Sequence, residues 1–154
     1  MKSKGFTLIE MLIVLAIIGI LAGIIIVGLG SRRGAARDAR RIADLRTTQQ
    51  ALELYYQVNQ AYSNPAGCPG TTCGGALETS LTGASIGVKS IPKDPLNDTN
   101  FYYNYGVDAG GTPAYQNYTL SARLEDTAHK ALNDDVDGTV NGVNCADPIY
   151  CVSF

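Results

Sequence analysis

Lys4-Gly5-Phe6-Thr7-Leu8-Ile9-Glu10-Met11-Leu12, followed by Ile13 to Gly30, is the stretch that decides the class of this 154-residue chain. From Met11 to Gly30 there is no charged or strongly polar side chain, and from Phe6 onward only Thr7 and Glu10 interrupt the apolar run. At about 1.5 Å per residue, a helix over 6–30 is long enough to cross a hydrocarbon core of about 30 Å. A secretory signal peptide is the first competing reading. Its apolar region is usually about 7 to 15 residues and ends at a small-x-small cleavage site, whereas Ala16 and Ala22 are embedded here among Ile and Leu. A plain membrane anchor is the second.

Glu10 separates these readings. A carboxylate inside an apolar helix costs roughly 2.5–3.5 kcal/mol on insertion scales, and an intramembrane acid needs a cationic partner. A plain anchor has no use for it. The nearby cations are Lys2 and Lys4, upstream. The alternative is a new α-amine made by cutting the chain after Gly5. That cut leaves Phe6 as the terminus, four residues from Glu10, so amine and acid share one helix face.

Residues 4–23 resemble the class III signal of type IV pilins and type II secretion pseudopilins. In that family a short basic leader ends in Gly, and Phe and Thr-Leu-Ile-Glu then open an apolar helix. The resemblance implies that a membrane prepilin peptidase cuts between Gly5 and Phe6 and that Phe6 is N-methylated. It also implies that Glu10 neutralises the terminal amine of a neighbouring subunit during assembly. The physical logic agrees: an unpaired carboxylate in a protein-lined filament core is costly, pairing offsets the cost, and a subunit out of register leaves the charge unpaired. Gly5 answers the protease's need for a small residue; by itself it reads as a loop glycine. Gly19 and Gly23 form a small-xxx-small pair that permits close helix contact. The proline that many pilins carry in this helix is absent, and Gly19, Gly23 and Gly28 are where a kink or melted turn would fall.

Residues 31–59 continue the helix, with Ala35, Ala39, Ile42, Leu45, Gln49, Leu52 and Tyr56 recurring every three or four residues. The rod from Phe6 to Asn59 is then about 80 Å long, and its second half needs a partner surface from the C-terminal part. Arg32, Arg33, Arg37, Arg40, Arg41 and Arg46 form a basic block just past the apolar run. It reads as a solvated helix face near lipid headgroups, with contact to an acidic neighbouring subunit as the alternative. Nucleic-acid binding is not expected, because no aromatic residues interleave the arginines. Asp38 and Asp44 are candidates for local pairing. By Lys and Arg count alone this block belongs in the cytoplasm, while the leader motif places the leader there instead. The leader motif is the stronger signal, since its protease acts from the cytoplasmic face.

Residues 60–154 hold all four Cys, all six Pro and seven of nine Tyr. The formal net charge of −2 excludes a general polyanion-binding surface, but it hides an asymmetry. Residues 1–46 carry eight Lys/Arg and three Asp/Glu; residues 47–154 carry four and eleven. Four cysteines allow three connectivities. Local pairing, Cys68 with Cys73 and Cys145 with Cys151, is the simplest and points to an oxidising, exported location. Zinc is the rival, but the usual C-x2-C spacing and a nearby His are missing. Phe101 to Val107 and the alternating Tyr118 to Glu125 read as strands, the second half-buried, and Ile149 to Phe154 as a weaker third. Ile91-Pro92-Lys93-Asp94-Pro95 before aromatic strands is similar to the major pseudopilin of type II secretion and to related small pilins.

Asn133-Asp134-Asp135-Val136-Asp137-Gly138 has oxygen ligands at alternate positions and a glycine for the turn, like the first half of a calcium loop. Asn133, Asp135 and Asp137 are the candidate ligands. Asn133 stands where an Asp is usual and Asn144 where a bidentate Glu is usual, so an acidic loop of Asx turns is the competing reading. Calcium is the one cofactor considered; otherwise none is expected. His129, the only histidine, has no neighbour that makes it a base, and the serines lack an elbow motif. Asn97-Asp98-Thr99 and Asn117-Tyr118-Thr119 match a glycosylation sequon, a frequent chance triplet.

These readings converge on a non-enzymatic α+β protein of the pilin fold. Its parts are a leader at 1–5, a membrane or filament-core helix at 6–30, an amphipathic helix at 31–59 and a head with an antiparallel sheet at 60–154. The expected function is that of a pilin in a type IV pilus-like filament. The first alternative is a major pseudopilin of a type II secretion or DNA-uptake system; the second is a membrane-tethered binding module that never polymerises. The expected partners are copies of the same subunit, the prepilin peptidase, the assembly machinery and the membrane. The precursor is expected in the cytoplasmic membrane with its head outside the cytoplasm.

Overall fold

Thr7 starts the first helix, α1 (Leu8–Val27), in which apolar residues occupy every face. The computed structural model describes residues 5–27, 29–70 and 73–154. The chain divides into two units, Met1–Ala35 and Ala36–Phe154. In the first, large apolar side chains are exposed all round α1, from Leu8 at 83% to Val14 at 49%. Such a helix is stable in water only when something else covers it. Among the described residues no helix is long and apolar enough to cross a membrane. The span expected over 6–30 includes Gly28 and the side chains of 24–27 and 29–30, which lie outside the described residues, as do Lys2 and Lys4 of the leader. Of the rod expected from Phe6 to Asn59, the described parts are α1 and, past Gly28, the helix α2 (Leu29–Asn59).

In the second unit, α2 buries Asp38, Arg41, Leu45, Thr48 and Leu52, spaced three and four residues apart as one helix face requires. The stripe differs from the expected one. Ala39 is exposed and Ile42 and Tyr56 are half-buried, because two charged residues occupy the buried face at that end. Opposite lies a three-stranded antiparallel sheet in the order β1 (Tyr103–Val107), β2 (Tyr118–Arg123), β5 (Ile149–Ser153). Its register sets Tyr105 opposite Leu120 and Leu120 opposite Val152. Leu45, Leu52, Tyr105, Tyr118, Leu120 and Ala122 form the core with Leu77 and Leu81 of α3 (Cys73–Gly83). Sequence reading missed α3, since Gly74 and Gly75 weaken its helix signal.

The expectation of a half-buried second strand is overturned. Thr119 and Ser121 are as buried as Leu120 and Ala122, because a second layer covers the outer sheet face. That layer holds a 3₁₀ turn (Lys130–Asn133) and a small hairpin, β3 (Thr139–Val140) and β4 (Val143–Asn144). Asn141 and Gly142 connect the hairpin with φ of 51° and 78°, the left-handed pair that a tight two-residue hairpin needs. Asn-Gly between two valines was the signal that could have found it. The hairpin sits close against β1: a Cβ on Gly106 would collide with the Asn141 carbonyl and Val143.

Candidate functional site

At the start of α1 the backbone N–H and the hydroxyl of Thr7 both donate to Glu10 Oε2, each at 2.7 Å. The Glu10 N–H donates back to Thr7 Oγ1 at 3.3 Å. Thr-x-x-Glu is a reciprocal capping box, in which each side chain satisfies a backbone donor that the helix start leaves unpaired. The sequence carried that signal, although the reading above assigned Glu10 only to assembly. The carboxylate therefore has a local partner before any amine reaches it. Phe6 is 85% exposed. A Cβ on Gly5 would meet nothing within 4 Å, so nothing in the described chain requires glycine at that position.

A second constellation lies in the head. Arg41, fully buried, donates to Asp94 Oδ2 at 2.6 Å and Oδ1 at 3.1 Å, to Asp38 Oδ1 at 2.7 Å and to Glu125 Oε1 at 2.8 Å. The Phe101 ring lies 4.5 Å from its guanidinium carbon. Arg37 grips Glu125 from the other side at 2.6 and 2.5 Å. Asp38 also accepts the backbone N–H groups of Glu125 and Asp126, and Asp94 those of Leu96 and Asn97. Helix α2 is thereby tied to two loops distant in sequence. Burial alone would lower the pKa of Arg41, but its bonds to Asp94, Glu125 and Asp38 leave it raised. Glu125 is pulled down to about 2, first by its bond to Arg37, then, against its burial, by Arg41. Burial pushes Asp94 up; the Arg41 bond and the Leu96 and Asn97 N–H groups outweigh it, so Asp94 is lowered.

This corrects the expectation that the basic block is a solvated face. Arg41 is fully buried and Arg37 partly so, while Arg32, Arg33, Arg40 and Arg46 are exposed. A buried guanidinium is tolerated only with its donors satisfied, and the acids that satisfy it come from positions 38, 94 and 125. Of the local pairs considered, Asp38 does meet Arg41, and Asp44 meets Arg40 at 3.5 Å on the surface.

Two disulfides, Cys68–Cys73 and Cys145–Cys151, close short loops. The second folds 145–151 back beside the acidic loop. There one carboxylate oxygen each of Asp135, Asp137 and Asp147 lies within 4.8 Å of the others. Asp135 Oδ2 accepts the Cys151 N–H at 2.7 Å, whereas its Oδ1 is buried without a partner. Burial first, opposed by the Cys151 bond and aided by the charges of Asp137 and Asp147, raises its pKa. Asn133 is exposed at the end of the 3₁₀ turn and is not one of the three carboxylates. Asn144 turns its Oδ1 to the Ala146 N–H at 3.1 Å. Asp147 was missed, because only the disulfide brings it alongside. An all-oxygen set with one orphaned buried oxygen fits a hard divalent cation such as calcium. His129 caps the 3₁₀ turn, its Nδ1 accepting the Ala131 N–H at 3.1 Å.

Comparison with known proteins meets the same N-terminal residues. The family model described as a prokaryotic N-terminal methylation motif matches residues 1–26. The type II secretion system core protein G of Vibrio cholerae is 30% identical over 113 residues, which are 68% of this chain and 73% of that protein. The core protein G of Escherichia coli is 33% identical over 61 residues. The type IV wide pilus major component PilA4 of Thermus thermophilus is 44% identical over 63 residues. The chain spans 42% and 48% of the length of these last two relatives. No solved structure matches.

Proposed function

The chain belongs to the type IV pilin and type II secretion pseudopilin family, and from that membership we propose that it is the pilin of a type IV pilus-like filament. Peptidase cleavage between Gly5 and Phe6, methylation of Phe6 and polymerisation through α1 follow in this reading. The observation that carries it is a helix with exposed apolar side chains on every face and one acid at its start. Bilayer and filament core are the two surroundings that cover such a helix. The Thr7 cap gives Glu10 neutral donors only. A neighbour's terminal ammonium would add a direct attraction between opposite charges, which strengthens where water is excluded. The open space at Gly5 supports the same reading, since the need for glycine then lies with the protease.

In this reading the precursor is anchored by α1 with its head outside the cytoplasm, where the two disulfides are stable. Its partners are copies of itself, the prepilin peptidase and the assembly machinery, and its role is structural rather than enzymatic. The test is the mass of the mature protein from a peptidase-bearing host, together with imaging of fibres built from it. Loss of residues 1–5 and a methyl group on Phe6 are expected. A mature chain that retains residues 1–5 overturns the proposal.

The pseudopilin reading is favoured by one observation: the Vibrio cholerae relative aligns over 113 residues, well beyond the N-terminal motif. Loss of protein secretion without loss of surface fibres on deleting the chain would favour it. A calcium ion is proposed on Asp135, Asp137 and Asp147, where it would supply the partner that Asp135 Oδ1 lacks. Melting with calcium and with a chelator checks this. A higher melting temperature with calcium is expected, and no shift removes the ion.

A further inference from the structure

The outer face of the sheet carries a cleft of about 180 Å³ beside the small hairpin, lined by Tyr102, Asn104, Ser121, Arg123, Asn144 and Ile149 among others. The register sets Asn104 directly opposite Ser121, and Arg123, two residues along β2, points to the same side. Arg123 is exposed and, among the described residues, makes no ion pair. The two amides are oriented by their own bonds. Asn104 Oδ1 accepts from the Gly70 and Tyr105 N–H groups at 2.7 and 2.9 Å, and Asn144 Oδ1 from the Ala146 N–H. With both carbonyl oxygens engaged, the NH₂ groups of these two cleft-lining side chains donate no bond among the described residues. No carboxylate lines the cleft.

A guanidinium, two amide donors and a hydroxyl converging without a counter-charge call for an anion rich in acceptors. The planar fork of Arg matches a carboxylate in two-point contact. The volume is below the roughly 300–1,000 Å³ of sites for drug-sized ligands, so one small unit fills it. An acidic peptide side chain would use the guanidinium and leave the amide and hydroxyl lining unbonded. A sugar ring uses both, with Tyr102 and Ile149 available to its C–H face. We propose that this cleft binds a carboxylate-bearing monosaccharide unit, of the uronic acid class, held by Arg123 and oriented by Asn104, Ser121 and Asn144. This site does not depend on the filament reading.

The test is a titration of the detergent-solubilised full chain, followed by saturation-transfer NMR and calorimetry, with sodium glucuronate, glucose, sodium glutamate and inorganic phosphate. Saturable glucuronate binding with a dissociation constant near about 1 mM is expected, and at least tenfold weaker binding of the other three. Arg123→Gln, at an exposed position, should weaken glucuronate at least tenfold, and Arg123→Lys by less. Asn144→Asp keeps the acceptor for Ala146 but replaces the NH₂ donor with a charge, and should weaken binding as much; it decides the matter if Arg123→Gln fails to fold. No saturable glucuronate binding, equal binding of glucose, glutamate or phosphate, or an unchanged constant in the folded variants overturns the proposal.

Discussion

The two units treat their charges in opposite ways. In the head, Arg37, Arg41, Asp38, Asp94 and Glu125 satisfy one another inside the fold. In the N-terminal unit the donors to Glu10 among the described residues are the neutral groups of Thr7, and apolar side chains stand exposed around it. A charge whose partners lie within the chain holds the fold together. A charge without an ionic partner among the described residues, beside exposed apolar side chains, is where the proposed function puts a contact with another molecule.

Changing one member of each set should therefore separate assembly from stability. Glu10→Ala should reduce fibre yield to background while leaving the melting of the head unchanged. Fibres of normal yield from this variant would break the comparison, and with it the assembly role of Glu10. Arg41→Ala should act in reverse. Removing the guanidinium leaves Asp38 and Asp94 buried without it, and breaking such a buried set costs about 3–5 kcal/mol, readable in urea or thermal unfolding. If the proposed cleavage after Gly5 occurs, it should continue in this variant, because Arg41 lies 36 residues from that junction.

A smaller effect follows from pH. Glu125 sits at about 2 against its usual 4.5. A depressed carboxylate contributes stability that is complete above the unfolded value and is lost as pH falls through the folded one. Stability of the head should accordingly decline between about 4.5 and about 2, and Glu125→Gln, less stable at neutral pH, should show a flatter profile there. Equal slopes for both proteins would show that the knot is not what acid breaks. The smallest effect is expected at Thr7. Thr7→Ala should cost about 0.5–2 kcal/mol of helix stability, as loss of a cap does, measured by amide exchange in the first turn of α1.

What could be read in advance was local. The apolar run, Glu10 and the Gly5-Phe6 junction lie within a few residues of one another, and a strand such as Tyr103–Val107 shows in its aromatic residues and the turn residues that bound it. The capping box and the Asn141-Gly142 hairpin were equally local and were legible but overlooked. The burial of Arg41 was different in kind. Solvent is the default place for a guanidinium because burying it unpaired is costly, and beside the local Asp38 it takes acids 53 and 84 positions away to satisfy this one. The same holds for β2, whose alternation announces one buried face while the second is covered by a hairpin some twenty residues on, and for Asp147, which the Cys145–Cys151 bridge carries to Asp135. By itself the sequence determined the family, since the motif that carries it lies in one contiguous N-terminal stretch. Tertiary structure alone decided which charges the head keeps inside, because the free energy of a buried charge depends on partners that no local period can reveal.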